Sequence, residues 1–265
     1  MVALDSLTDT TFEVTGGVAW ITINRPNAYN AFTAHTIDEL VCCVKAAWAD
    51  PAVGVVALTG AGDRAFCAGG DVKVAAEIGS YGVGETGLFE LDDLHRVLRA
   101  IPKPVIAAVN GVAAGGGHVL HVLCDLTIAS ENATFGQAGP RVGSWDAGYG
   151  TGLLARTVGE KRAKEMWYLC RRYDAQRMMQ WGLVNEVVPL SELRAEVHRW
   201  ADELMSKSPT AIKFLKHSFN ADTEHLAGLS RVAFDALDVF APSQEAGEGK
   251  HAFAEKRAPD FSAYR

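Results

Sequence analysis

The stretch PVIAAVNGVAAGGGH, residues 104–118, predicts how this chain folds locally. Its first half, PVIAAVNG (104–111), is a continuous apolar run bounded by proline and glycine, which is typical of a strand buried on both faces. The following segment, GGGHVLHVLC (115–124), predicts a glycine turn that opens a short helix. A buried strand that leads directly into a helix is the building block of an α/β core.

The same alternation continues along the first half of the chain. Apolar runs predict strands at 17–26, 53–60 and 125–130, and amphipathic spacing predicts helices at 33–50 and 88–101. Residues 61–87 are rich in glycine, alanine and aspartate, which favours a functional loop with a short helix. Helical patterns dominate from residue 151 onward. We therefore predict an α/β fold class, with a core at 1–200 and a helical C-terminal region at 201–265.

Composition and charge exclude several kinds of protein. The 265-residue chain has a formal net charge of −7, which argues against nucleic acid as its main partner. Its acidic N-terminus does not resemble a signal peptide, and its apolar runs are shorter than the roughly 18 residues that span a membrane. Five cysteines without a CxxC pair favour a reducing compartment. We expect a cytoplasmic protein without a membrane partner.

Two glycine-rich loops are candidates for chemistry: FCAGGD (66–71) and AAGGGH (113–118). Each follows a predicted strand, and glycine lets the backbone approach a ligand closely. If both loops point their N–H groups at one position, they form an oxyanion hole. Either loop taken alone is more typical of a tight turn between a strand and a helix than of an oxyanion hole.

Five motifs in order along the chain extend this pattern: NRPNAYNAF (24–32), AGDRAFCAGGD (61–71), IPKPVIAAVNGVAAGGG (101–117), CDLTIAS (124–130) and FGQAGPRVGSWDAGYG (135–150). Together they resemble the crotonase (enoyl-CoA hydratase/isomerase) superfamily. The resemblance implies the ClpP/crotonase-like fold, a spiral of ββα units with a helical C-terminal trimerisation region. It also implies an acyl-CoA substrate, a homotrimer or homohexamer, and a thioester oxygen held by the N–H groups of Gly70 and Gly116.

The glutamates with which hydratases of this superfamily add water are missing. By position they fall on Val119 and Gly139, and neither residue can transfer a proton. The resemblance therefore implies a reaction other than hydration. A generic hydratase or isomerase is the less favoured enzyme alternative, and an inactive CoA-binding scaffold is the alternative from another class.

The carboxylate of interest is Asp146, in the segment GSWDAGYG (143–150). This segment resembles two subgroups, 2-ketocyclohexanecarboxyl-CoA hydrolase, which opens a ring, and 1,4-dihydroxy-2-naphthoyl-CoA synthase, which closes one. The resemblance implies that Asp146 manages a proton and that Ser144 hydrogen-bonds a keto oxygen or a water. Without the surrounding match, Asp146 would be interpreted as a turn aspartate that accepts backbone hydrogen bonds.

The remaining motifs resemble one or the other of these two subgroups. Gln137 with Gly139 resembles the synthases that bind bicarbonate as an external base, and Trp167 fits that bicarbonate pocket. Residues 82–107, 198–211 and 216–228 resemble the hydrolase more closely, so we favour ring opening. Both subgroups have a C-terminal tyrosine that reaches a neighbouring subunit, and this position is Ala241 here.

For the CoA part of the substrate, the resemblance implies contacts from two loops and the C-terminal tail: Ala28, Tyr29, Ala31, Ala68, Gly69, Asp71, Val72, Lys73, Tyr81 and Lys256. Lys73 and Lys256 are candidate phosphate partners, although solvated surface lysines are the commoner case. Tyr29 stands where the synthases tend to have arginine. We expect no tightly bound cofactor, and no metal, because the pair His118 and His121 lacks a third ligand.

Overall fold

The computed structural model describes residues 2–145 and 148–265. Its strands are β1 (Thr10–Thr15), β2 (Val18–Ile23), β3 (Val55–Gly60), β4 (Ala65–Cys67), β5 (Val105–Val109), β6 (Val112–Ala114), β7 (Leu126–Ser130), β8 (Thr134–Gly136), β9 (Arg172–Asp174) and β10 (Glu186–Val188). Its α-helices are α1 (Ala34–Ala49), α2 (Val72–Ile78), α3 (Leu91–Ala100), α4 (Gly116–Leu123), α5 (Gly150–Val158), α6 (Glu160–Leu169), α7 (Ala175–Gln180), α8 (Leu193–Met205), α9 (Pro209–Ala221), α10 (Leu226–Phe240) and α11 (Gln244–Ala254).

The strands are arranged in two sheets. The larger has the order β1-β2-β3-β5-β7-β10, in which β1 is antiparallel to β2 and the other pairs are parallel. The smaller has the order β4-β6-β8-β9 and ends in an antiparallel pair. The chain places β3, β5 and β7 in the large sheet and follows each with β4, β6 or β8 in the small one. This repetition is the predicted spiral of ββα units.

The strands and helices predicted in the first 130 residues are confirmed, and their observed ends differ from the predicted ones by up to three residues. The strand predicted at 17–26 is β2, and the helix predicted at 33–50 is α1. Thr33 caps this helix, because its hydroxyl oxygen accepts the N–H of Thr36 at 3.4 Å. The division predicted between residues 200 and 201 falls inside α8 and stays a prediction.

The central strands of the large sheet, β2, β3, β5 and β7, are buried on both faces, as the apolar runs predicted. Alternate residues of β3 enter two separate apolar clusters, with Val56 and Leu58 in one and Val55 and Ala57 in the other. Helix α8 covers the second cluster through Leu193, Val197 and Ala201. No helix within the described ranges combines the length and the apolar character that crossing a bilayer requires.

An ion pair with a buried lysine joins the C-terminal helices to the core. The Nζ of Lys216 on α9 lies 2.7 Å from the Oδ2 of Asp125, and it also donates to the carbonyl oxygens of Leu98 and Lys103. The side chain of Lys216 is 5% exposed. Replacing Lys216 by an apolar residue would remove three charge-assisted hydrogen bonds and would leave the carboxylate of Asp125, whose side chain is 29% exposed, without its cation.

We therefore expect Lys216→Met to lower the free energy of unfolding by about 2 kcal/mol. Urea denaturation followed by circular dichroism measures this change. Lys213→Met, at an exposed position of the same helix, is the matched control and should change stability by less than about 0.5 kcal/mol. Equal stability of the two variants would show that the pair contributes little to docking of α9.

Candidate active site

The two glycine loops lie side by side because the strands before them are parallel neighbours. Ala65 pairs with Val112 and Cys67 with Ala113, so the chain leaves β4 and β6 at the same edge of the small sheet. A Cβ atom added to Gly69 would lie 3.0 Å from the oxygen of Ala114 and 3.1 Å from the nitrogen of Gly116. Gly69 also has φ +92°, a conformation that other residues rarely adopt.

The N–H groups of Gly70 and Gly116 are free of protein acceptors within the described part of the chain. The backbone of Phe32 bonds to the two neighbours of Gly70 and not to Gly70 itself. Its N–H donates to the carbonyl oxygen of Gly69 at 2.8 Å, and its carbonyl oxygen accepts from the N–H of Asp71 at 2.9 Å. Gly116 is the first residue of α4, where N–H groups have no partner within the helix. Both glycines are partly exposed, whereas Gly69 and Gly115 are buried. The two donors can therefore serve a bound oxygen atom.

Aromatic rings surround these two donors. A Cβ atom on Gly116 would lie 2.7 Å from Cζ of Phe32, and one on Gly70 would lie 2.5 Å from Cε1 of Tyr81. The rings of Phe32, Tyr81 and Phe89 pack together with centroid separations of 5.7 to 6.5 Å. This packing keeps water away from one side of the site, which strengthens hydrogen bonds to a developing negative charge.

The two positions of the hydratase glutamates are apolar in this chain. Val119 is 1% exposed, and its methyl Cγ2 lies 2.7 Å from the position that a Cβ atom of Gly150 would take. Cζ2 of Trp167 lies 3.2 Å from the same point, so Val119 and Trp167 flank Gly150 together. Gly139 begins a short 3-10 helix, and a Cβ atom there would lie 2.9 Å from the Cα of Trp145. A carboxylate at position 139 would need this backbone to move.

Gln137 is 2% exposed, and neither its Oε1 nor its Nε2 has a hydrogen-bond partner among the described residues. The indole N–H of Trp167 is likewise buried without one. Buried polar groups are nearly always paired, so such atoms point to a bound water, an ion or a substrate group. Each of the two side chains thus offers an N–H group to a bound water, ion or substrate atom.

The segment 143–150, which is expected to carry the carboxylate that transfers a proton, is described only in part. Asp146 itself lies outside the described residues. Ser144 is half-buried, and its backbone N–H donates to the oxygen of Gly139 at 2.9 Å. Gly148 has φ +100° and Tyr149 is 4% exposed. Helix α11 packs against the 3-10 helix Gly139–Val142, so the C-terminal region of the same chain supports this segment.

His95 on α3 is a residue of this region that the sequence motifs do not single out. It is 1% exposed, its ring lies edge-on to Tyr149, and a Cβ atom on Gly148 would lie 2.7 Å from its Nδ1. Burial lowers the pKa of His95 to about 4. The signal in the sequence is a histidine on the apolar side of the helix predicted at 88–101.

The low pKa of His95 predicts how stability depends on pH. The folded protein keeps the ring neutral, while the unfolded chain takes up a proton near pH 6.5. The stabilising contribution is therefore complete above pH 6.5 and is lost as pH falls toward 4, at about 1.4 kcal/mol per pH unit. Urea denaturation between pH 7.5 and 4.5 should show a smaller slope for His95→Leu than for the exposed-site control His217→Leu. Identical slopes would contradict the prediction.

The predicted CoA contacts form two groups. Ala28, Tyr29 and Ala31 lie in a turn joined to the glycine loop, because Ala68 donates to the oxygen of Tyr29 at 3.1 Å. Asp71 caps α2 by accepting from Lys73 and Val74, and it lies 3.0 Å from Nη2 of Arg25, so its carboxylate has a structural role. Val72 and the exposed Lys73 form the first turn of α2.

Lys256 lies just after α11, exposed and with φ +56°. Helix α11 packs against α2, so the C-terminal tail follows a helix that adjoins the glycine loop.

The two histidines of α4 bond to each other. Nε2 of His121 lies 3.0 Å from Nδ1 of His118, and Nδ1 of His121 lies 3.3 Å from the hydroxyl of Thr127. Burial lowers the pKa of His118 to about 3. Within residues 2–145 and 148–265, no three side chains of the types that ligate metals form a cluster.

Paired glycine loops on a ββα spiral define the crotonase class of protein. The chain belongs to the enoyl-CoA hydratase/isomerase family, whose sequence model matches residues 13–264. Among solved structures, an enoyl-CoA hydratase from Mycobacterium avium subsp. paratuberculosis K-10 is 33% identical, with a TM-score of 0.86 over 96% of this chain and 99% of that one.

Two further solved structures are similar over nearly the whole chain. A carnitinyl-CoA hydratase from Mycobacterium avium is 32% identical, with a TM-score of 0.84 over 97% of this chain and 100% of that one. An enoyl-CoA hydratase/isomerase from Xanthobacter autotrophicus Py2 is 35% identical, with a TM-score of 0.80 over 94% of this chain and 93% of that one. The crotonase fold and an enzyme that acts on acyl-CoA are thus established at the level of the family.

Proposed function

We propose that this protein opens the ring of a cyclic β-keto acyl-CoA by hydrolysis, breaking the C–C bond β to the thioester. The observation that carries the proposal is the combination of two unengaged N–H donors, at Gly70 and Gly116, with apolar residues at Val119 and Gly139. The donors favour a thioester enolate, and the absence of both carboxylates disfavours the addition of water to a double bond.

The proposed reaction proceeds in three steps. Asp146 takes a proton from water as the oxygen adds to the ring ketone, and Ser144 hydrogen-bonds the keto oxygen. The tetrahedral adduct collapses to a carboxylic acid, and the electron pair of the broken C–C bond moves into the thioester. Gly70 and Gly116 donate to the resulting enolate oxygen. The α-carbon then takes the proton from Asp146, so the product is the substrate plus one water.

The synthase reaction is a second candidate, favoured by the unpartnered polar atoms of Gln137 and Trp167. In this alternative, those residues would hold bicarbonate, which supplies a base when bound. Gly70 and Gly116 would again hold a thioester enolate, and ring closure would release one water. Two less favoured alternatives are an enoyl-CoA hydratase or isomerase, which Val119 and Gly139 disfavour, and an inactive CoA-binding scaffold, which the missing hydroxyl at Ala241 favours.

Mass spectrometry separates these reactions. The purified protein is incubated with 2-ketocyclohexanecarboxyl-CoA or o-succinylbenzoyl-CoA, each with and without bicarbonate. A product one water heavier from the first thioester supports ring opening. A product one water lighter from the second, dependent on bicarbonate, supports the synthase. Conversion of neither, with hydration of crotonyl-CoA instead, would overturn the proposal.

We also propose that the protein is a homotrimer or homohexamer. The C-terminal helices α9 and α10 expose large apolar side chains, including Phe214 (64%), Phe219 (78%) and Val239 (79%). Exposed apolar surface of this extent favours association with further copies of the chain. Light scattering would show a mass three or six times that of one chain.

A further inference from the structure

The segment 79–90, between α2 and α3, carries two of the three aromatic rings that surround the N–H donors. Tyr81 and Phe89 lie near its two ends, and their ring centroids are 5.7 Å apart. The ring of Tyr81 lies against Gly70, since a Cβ atom on Gly70 would be 2.5 Å from its Cε1 and 2.7 Å from its Cζ. The position of this segment therefore decides what surrounds the donor at Gly70.

The segment 79–90 buries little apolar surface of its own. Each of its residues is at least partly exposed, and Val83 and Leu88 are 71% and 65% exposed. Its internal hydrogen bonds, from Gly84 to Leu88 at 2.7 Å and from Gly87 to Gly84 at 3.0 Å, shape the turn without tying it to the core. Because burial contributes little here, polar contacts with the rest of the protein have more influence on where the segment lies.

Two hydrogen bonds attach the segment to α1. The carbonyl oxygen of Tyr81 accepts the N–H of Ala34, the first residue of the helix, at 3.0 Å. One turn further along, Oδ2 of Asp38 accepts the N–H of Glu85 at 2.7 Å. The approach is close, because a Cβ atom on Gly84 would collide with both carboxylate oxygens of Asp38. The contact therefore requires a short acceptor on α1 and a glycine in the segment.

The carboxylate of Asp38 is costly at this position. It is 8% exposed, and its Oδ1 has no hydrogen-bond partner among the described residues. Burial raises the pKa of Asp38, as do the nearby carboxylates of Glu90 and Glu85. The ring of His35, three residues earlier on α1, lies 2.9 Å from Oε1 of Glu39 instead. A charged acceptor makes a stronger hydrogen bond to a backbone N–H than a neutral one, and this bond is what the acid contributes here.

We propose that Asp38 is a positioning residue, whose carboxylate holds the segment 79–90 against α1 and so keeps Tyr81 and Phe89 beside the two oxyanion donors. This inference rests on the part of the proposed function in which those donors bind a thioester oxygen, and not on the ring-opening step. Asp38 acts through the two rings and not on the substrate. When the segment moves away, water reaches the donors, and their hydrogen bonds to a developing negative charge weaken.

Hydrogen exchange followed by mass spectrometry tests the attachment without any substrate. We expect peptides from residues 79–90 to exchange about tenfold faster in Asp38→Ala than in the wild type, as the loss of one charge-assisted hydrogen bond predicts. Peptides from β5 should exchange as in the wild type, which shows that the core is intact. Asp38→Asn keeps an acceptor oxygen and should stay within about threefold of the wild type. Asp93→Ala, at an exposed acid of α3, is the matched control and should change neither peptide.

Gly84→Ala tests the same contact from the side of the segment. The added Cβ atom would collide with the carboxylate of Asp38, so this variant should also exchange faster in residues 79–90. Adding Gly84→Ala to Asp38→Ala should have no further effect, because the carboxylate that causes the collision is gone. Effects that multiply in the double variant would contradict the assigned contact.

Turnover decides whether the attachment serves the site. We expect Asp38→Ala to lower kcat about tenfold, a part of what an oxyanion donor contributes, and Asp38→Asn to retain most of it. Wild-type exchange in Asp38→Ala would overturn the proposal, and so would faster exchange with wild-type kcat. A wild-type protein that hydrates crotonyl-CoA but converts no cyclic thioester would overturn the proposed function alone, since kcat for crotonyl-CoA then supplies the comparison. A protein that converts none of these thioesters would overturn both.

Discussion

Asp146→Asn is expected to lower the turnover of a cyclic β-keto acyl-CoA by about 10²- to 10⁴-fold, the range that one positioned acid or base contributes. Asparagine keeps the shape of the side chain and its capacity to accept hydrogen bonds, but it cannot take a proton from water. The affinity for CoA should not change, because the residues expected to contact CoA do not include Asp146. Turnover is measured by mass spectrometry of the thioester product, and affinity by calorimetry.

The matched control for this substitution is Asp202→Asn, at an exposed position of α8. It changes the net charge by the same amount and should leave turnover within about twofold, as surface substitutions usually do. If Asp146→Asn also kept wild-type turnover, Asp146 would be a turn residue and the proposed mechanism would be wrong. If it lost CoA affinity as well, the substitution would have altered the site rather than its proton transfer.

The fold was largely predictable because its main strands are buried on both faces. A short apolar run such as 104–111, bounded by proline and glycine, is typical of a buried strand, and the glycine turn after it fixes where α4 begins. The strands of the small sheet were not predicted, because each is three residues long and such a length shows no periodicity. β4, β6 and β8 form because β3, β5 and β7 of the large sheet bring the segments that follow them side by side. Their pairing therefore depends on the tertiary structure.

The part of the site that consists of backbone N–H groups was predictable from the sequence. Glycines after two neighbouring strands were expected to bring two N–H groups together, and the structure places those loops in contact. The contact of His95 with Tyr149 was not predictable, since it joins segments that are far apart in sequence, although the position of His95 on the apolar side of its helix indicates that it is buried. The absence of carboxylates at Val119 and Gly139, by contrast, was readable from the sequence alone.

A second large effect is expected for Gly69→Ala. The added Cβ atom would lie 3.0 Å from the oxygen of Ala114 and 3.1 Å from the nitrogen of Gly116, so it would push the two glycine loops apart. Displacing one oxyanion donor costs about 10²- to 10³-fold in turnover. The positive φ of Gly69 adds a backbone penalty of about 1 kcal/mol, which lowers stability without affecting catalysis.

Gly79→Ala separates these two contributions. Gly79 has φ +80°, close to the φ of +92° at Gly69, but a Cβ atom there would meet nothing within 4 Å. The control should therefore lose about 1 kcal/mol of stability and keep its turnover. Gly69→Ala should lose turnover in addition, because its Cβ atom would crowd the oxygen of Ala114 and the nitrogen of Gly116. Comparable turnover in both variants would mean that close contact between the loops is not needed, and the oxyanion hole would then lie elsewhere.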